Sequence, residues 1–173
     1  QSSSRGLGDV YKRQVWLSWD SWLACDVNLI DIPMATSTGS AELDRMVERL
    51  GSTSDPKRRY EYVLWLAKKL KPMPAEEQTE DRKVKGCVSQ VFVCGSLDQG
   101  VMHWQGDSDA LITKGLLALL IQGLEGLTPA QVQAVDPVFI SATGLHASLT
   151  PSRANGFLNI FRMMQSQAQT LEG

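Results

Sequence analysis

The sequence predicts an α+β fold: a helical hairpin, then a small three-stranded antiparallel sheet, then a second set of helices packed on one face of that sheet. Three observations lead there. Apolar residues recur at helical spacing over 40–71, and the pattern changes to alternation over 82–105. Helical spacing then returns from Asp107, with Thr-Pro starts at Thr128-Pro129 and Thr150-Pro151.

Each element has a local reason. Ser40 is a cap for a helix whose Leu43, Met46, Val47 and Leu50 fall on one side, with Glu42 near the positive end and Gly51 as its stop. Asp55-Pro56 opens a second helix, an acid cap followed by proline at the first helical position. Tyr60, Val63, Ala67 and Leu70 line its buried face, and Leu64 and Leu66 widen it. Lys68, Lys69 and Lys71 suit its negative end, and Pro72 and Pro74 forbid continuation. The acidic stretch 75–81 reads as a solvated connection. Strands are expected over 82–85, 89–97 and 101–105, the last two joined by Asp98-Gln99-Gly100 with glycine at the positive-φ position. Asp107-Ser108-Asp109 then opens a helix to about Gln122, with both acids in its first turn. That helix is apolar almost all round, which marks it as the central one. Thr128 and Gln131 form a capping box, and Phe157, Ile160, Phe161 and Met164 make the stripe of a final helix.

Composition narrows the class. The 173 residues carry 17 Lys+Arg against 19 Asp+Glu, and a net charge of −2 offers no general attraction to phosphate backbones or anionic lipid. With 43% apolar residues the chain can bury a core of one domain. Three cysteines and two histidines build no disulfide scaffold, and no CxxC pair suggests structural zinc. Residues 1–33 differ from the rest. Trp16, Trp19 and Trp22 crowd together there, and Asp20 and Asp26 interrupt the apolar run a signal peptide needs. The stretch 3–14 resembles a translated sequencing-adapter read-through. Residues 1–33 are therefore expected to be a non-native or untranslated leader, and 34–173 the domain, with a cytoplasmic location.

Few residues after Met34 can carry chemistry. Cys87, Cys94, His103 and His146 are the soft metal-ligand candidates. Cys87 and Cys94 lie seven apart, on opposite faces of a regular strand, so they should not share an ion. A Cys94–His103 pair across the hairpin supplies two ligands at most, and no metal site is expected. Asp107 and Asp109 read as helix acids. Cys94, amid Val91, Phe92 and Val93, reads as packing. Cys87 differs: Gly86 gives the backbone freedom to turn beside it, and Lys83 and Lys85 place positive charge near the sulfur, which favours thiolate. The competing reading is a small buried cysteine that merely packs.

Lys85-Gly86-Cys87-Val88-Ser89-Gln90-Val91 resembles the Gly-Cys-x-Ser-Gln-Val signature of SufE, the sulfur-acceptor family of iron–sulfur cluster assembly. Three further blocks match in order: 105–110, Lys114-Gly115-Leu116, and 149–153 with Gly156. Phe92 departs from the tryptophan the family often carries. The resemblance implies a fold shared with IscU-type scaffolds. It also implies a persulfide-forming Cys87, supported on its loop by Lys85, Gly86, Ser89 and Gln90. Asp109 matches a position linked to loop mobility, and Arg153 one linked to partner contact. The implied partners are a pyridoxal-phosphate cysteine desulfurase of the SufS type, which the protein activates, and a SufBCD-type cluster-building complex. The protein itself would hold no cofactor and catalyse nothing alone, and a weak homodimer is admitted. The alternative is an IscU-like scaffold, which needs about three thiolates plus another donor where only Cys87 and Cys94 follow Met34. A thiol redox enzyme would lack a resolving cysteine.

Overall fold

The computed structural model describes residues 37–173; the expectation for residues 1–33 lies outside them. Helix α1 (Ala41–Gly51) begins where Ser40 accepts the Leu43 amide, and α2 (Pro56–Lys69) where Asp55 accepts that of Lys57. Gly51 is the last residue of α1 rather than its stop. A Cβ there would lie 2.7 Å from the Ala142 carbonyl oxygen, so close backbone approach is what calls for glycine. The acidic connection folds into two single turns of 3-10 helix, Ala75–Glu77 and Glu80–Arg82.

Strands β1 (Val91–Asp98) and β2 (Val101–Ser108) form an antiparallel hairpin. Its loop is the two residues Gln99 and Gly100, both at positive φ. The sheet has two strands among the described residues, where three were expected. The third is reduced to one bridge, Lys83 to Phe92, plus the Val84 amide on the Val91 carbonyl. A 3-10 turn ends at Arg82 and Gly86 bends the chain at φ 77°, leaving too little extended backbone between them for a strand.

Alternation sorts the hairpin's faces. Val91, Val93, Met102, Trp104 and Gly106 are buried, while Phe92, Cys94, His103 and Gln105 occupy the other face. Helix α3 (Leu111–Leu124) packs on β2 with eleven of its fourteen residues buried, as its all-round apolarity requires. It starts at Leu111, not at Asp107, and has no acid in its first turn. The chain continues through α4 (Pro129–Ala134), with the Thr128/Gln131 capping box formed, and α5 (Phe139–Ala142) to α6 (Pro151–Glu172). Helix α6 runs along β1. Its Gln167 accepts the Gly95 amide and donates to the Val93 carbonyl, so a side-chain amide covers the backbone edge that a third strand would have paired.

Candidate functional site

Cys87 stands not on a strand but in a six-residue loop, 85–90, closed at its base by the Val84–Val91 hydrogen bond. The strand-face argument separating it from Cys94 therefore does not apply, and the two are kept apart by their elements instead. Lys85, Gly86 and Gln90 are exposed, Ser89 is half-buried, and Val88 at the tip is 84% exposed. Cys87 turns inward against α6. Its Sγ donates to the Gly156 carbonyl at 3.6 Å, and a Cβ on Gly156 would sit 3.4 Å from that sulfur. A residue without a side chain at 156 thus leaves the thiol its seat.

Four contacts hold the loop to the domain. Beside the Gly156 contact, Asn159 Nδ2 donates to the Gly86 carbonyl at 3.2 Å. Ser89 Oγ lies 3.3 Å from Thr113 Oγ1 on α3. Asp109 Oδ1 accepts the Gln90 amide at 2.9 Å while the Asp109 amide donates to the Gln90 carbonyl. Asp109 is therefore a clasp on the loop's far end rather than a helix acid. Gly86 meets two demands at once. Its φ of 77° suits only a residue without Cβ, and a Cβ there would come within 2.8 Å of the Asn159 amide.

Burial pushes the Cys87 thiol above its usual pKa. The expectation that Lys83 and Lys85 favour thiolate is not what the docked state delivers: Lys83 pairs with Glu80 at 3.6 Å, and Lys85 projects into solvent. The docked sulfur is thus kept as neutral thiol at neutral pH, and iodoacetamide should modify native Cys87 severalfold more slowly than the urea-unfolded chain, read by peptide mass mapping. Equal rates would mean that the seat does not protect it.

Arg153 is exposed on the first turn of α6, one turn before Gly156, and among the described residues its side chain makes no ion pair or hydrogen bond. Arg153, Gly156 and Asn159 follow at intervals of three, so one side of α6 carries the arginine, the thiol seat and the loop contact. Cys94 lies across from Gln105 and His103 across from Ser96, so the cross-hairpin pair does not form, and His103 bonds Glu125 instead. Cys94 is half-buried on the face away from the core; strand alternation, which buries Val91 and Val93, turns it outward. Sequence reasoning missed Asn159 altogether. Its signal exists only as a polar residue three positions after Gly156.

Asp107, the other expected helix acid, is the penultimate residue of β2, across from Phe92. Burial alone would raise its carboxyl, but the Lys114 ammonium at 2.8 Å and the Ser108 and Met73 amides outweigh that and hold it below the usual range. A depressed folded-state pKa contributes stability above the unfolded value of about 3.9, lost as pH falls through the folded value. The two side chains are only 15% and 19% exposed, so Lys114→Met should cost about 2 kcal/mol at pH 7. The gap between variant and wild type in urea midpoints should narrow toward pH 3, roughly one unit below the unfolded pKa; a gap that does not change with pH would place the cost elsewhere.

Fold and loop together define a class: an α+β domain that seats one cysteine of a short, clasped loop against a helix. Residues 44–168 match the SufE family, described as an Fe-S metabolism associated domain. An uncharacterized SufE-like protein of Synechocystis is 54% identical over 138 residues, 80% of this chain and 87% of that one. The cysteine desulfuration protein SufE of Plasmodium vivax is 40% identical over 117 residues, 65% of this chain but 46% of the longer relative. The solution structure of a hypothetical protein from Thermus thermophilus superposes with a TM-score of 0.68 at 27% identity, covering 77% of this chain and 97% of that one. The chain belongs to the SufE family. Membership gives it a sulfur-transfer role in Fe–S metabolism.

Proposed function

We propose that this protein is a sulfur carrier whose Cys87 accepts the terminal sulfur of a persulfide on a SufS-type cysteine desulfurase, thereby stimulating that enzyme, and passes the sulfur to a SufBCD-type cluster-building complex. The observation that carries the reading is the seat of Cys87: a half-buried thiol in a mostly solvent-facing loop, turned against Gly156 of α6 and pushed toward the neutral form by burial. In the transfer, Cys87 leaves the seat and loses its proton. Its thiolate then attacks the donor's outer sulfur, a new S–S bond forms on Cys87, and the donor's S–S bond breaks to release the donor thiolate. One sulfur moves and no external oxidant or reductant is consumed. The protein needs no cofactor for this step, since pyridoxal phosphate belongs to the desulfurase, and it turns over nothing by itself. Lys85 and the exposed Gln90 flank the sulfur's path, Asp109 sets how easily the loop lifts, and exposed Arg153 offers the desulfurase a cation beside the seat. A reducing cytoplasm suits a carrier that must keep its thiol unpaired.

The scaffold alternative finds less support. Among the described residues no three His, Cys, Asp or Glu side chains gather around one point. No described helix is long and apolar enough to cross a membrane.

The test is mass spectrometry of the intact protein after incubation with a cysteine desulfurase and free cysteine. A gain of one sulfur, about 32 Da, that reductant removes is expected. No gain, with a desulfurase shown to be active, would reject the carrier reading.

A further inference from the structure

We propose that Asn159 is the positioning residue that keeps the Cys87 loop shut, so that the middle of α6 sets how often the thiol is available. This rests on the reading of Cys87 as the sulfur acceptor and concerns its regulation. Three of the four loop contacts bind positions after Cys87 or involve the reactive sulfur itself. The Ser89 and Asp109 contacts fix the stretch after the cysteine, near the base that leads into β1. The Sγ–Gly156 contact is a long sulfur bond that must break in any movement of the thiol. Asn159 alone grips the residue before Cys87, and it does so through a backbone carbonyl, so the grip is indifferent to what the sulfur carries.

The geometry around that grip is built rather than incidental. Gly86 lies so close to the Asn159 amide that a Cβ would collide at 2.8 Å, and its positive φ is what turns its carbonyl toward α6. Asn159 is itself half-buried, at the border of an open groove of about 590 Å³ lined by Lys83, Lys85, Met163 and Ser166 among others. Releasing the Gly86 carbonyl costs one partly exposed neutral hydrogen bond, which water then replaces. This one contact therefore adds only modestly to the closed state, alongside those of Gly156, Thr113 and Asp109.

The latch is tested without any desulfurase or sulfur, so its failure is separate from failure of the carrier reading. Asn159→Ala should raise the iodoacetamide rate at Cys87 about fivefold, the loss expected for one such bond. Asn159→Asp should raise it at least as much, because a carboxylate cannot donate to the Gly86 carbonyl. The exposed neighbour Asn155→Ala should leave the rate unchanged. Amide hydrogen exchange separates local release from general loosening: exchange should quicken at Cys87 and Val88 and stay as in wild type along buried α3. Wild-type alkylation rates in both Asn159 variants would overturn the latch. So would faster alkylation matched by faster exchange throughout α3, which would assign the effect to global unfolding.

Discussion

Cys87→Ser should take up no sulfur from a desulfurase and cysteine, and its intact mass should stay that of the unmodified chain, whereas Cys94→Ala should load as wild type does. Serine fills the seat against Gly156 with a smaller atom and leaves the loop contacts from Asn159 and Asp109 untouched, so the fold should persist. What it cannot supply is a nucleophile. The transferred atom is electrophilic sulfur, and the species that attacks it is a thiolate; an alcohol near neutral pH is neither ionised nor polarisable enough to replace it. Cys94 is the informative control. It is half-buried on the outer face of β1, opposite Gln105, and no loop lets it leave the sheet. Sulfur uptake by Cys87→Ser would move the acceptor role to another cysteine and with it the meaning of the seat.

The largest effect on stability is expected at Gly115. In the middle of α3 an alanine would ordinarily stabilise the helix by about 1 kcal/mol. Here the sign reverses. A Cβ on Gly115 would press into the carbonyl oxygen of Val63 and lie 2.6 Å from its Cγ1. The clash is partly with backbone of α2, which no rotamer change relieves. Helices α2 and α3 approach closely at that point because Gly115 has no side chain to hold them apart. Gly115→Ala must push them apart and loosen buried Val63, Leu116 and Leu119 around it, a net loss of about 3 kcal/mol in urea unfolding. A variant as stable as wild type would mean that the helices yield more easily than their packing suggests.

Lys114-Gly115-Leu116 was legible as a motif before any of this geometry, but its reason was not. A glycine in a helical run is merely a poor helix former until the neighbouring helix is in place. The same division runs through the fold. Caps at Ser40, Asp55 and Thr128 could be read directly, because a cap is an interaction among residues three or four apart. The third strand could not. Residues 82–85 carry strand-like alternation, yet a 3-10 turn on one side and Gly86 on the other leave them only a bridge, and Gln167, more than seventy residues away in sequence, covers the edge. The helix-acid reading of Asp109 failed for the same reason. Its spacing to α3 suggested a helix acid, but a carboxylate takes the nearest good donor in space, and that is the Gln90 amide.

By itself the sequence determined the element order, the apolar faces, the proline and hydroxyl starts, and the one cysteine flanked by glycine and lysine in a recognisable motif. All of these depend on residues close together along the chain. Only the tertiary structure decided that this cysteine faces Gly156 and is pushed toward its neutral form by burial, and that Asn159 on α6 and Asp109 just before α3 both hold its loop. Those facts depend on which distant segments touch, and on the loss of water around a sulfur, neither of which any local pattern of residues encodes.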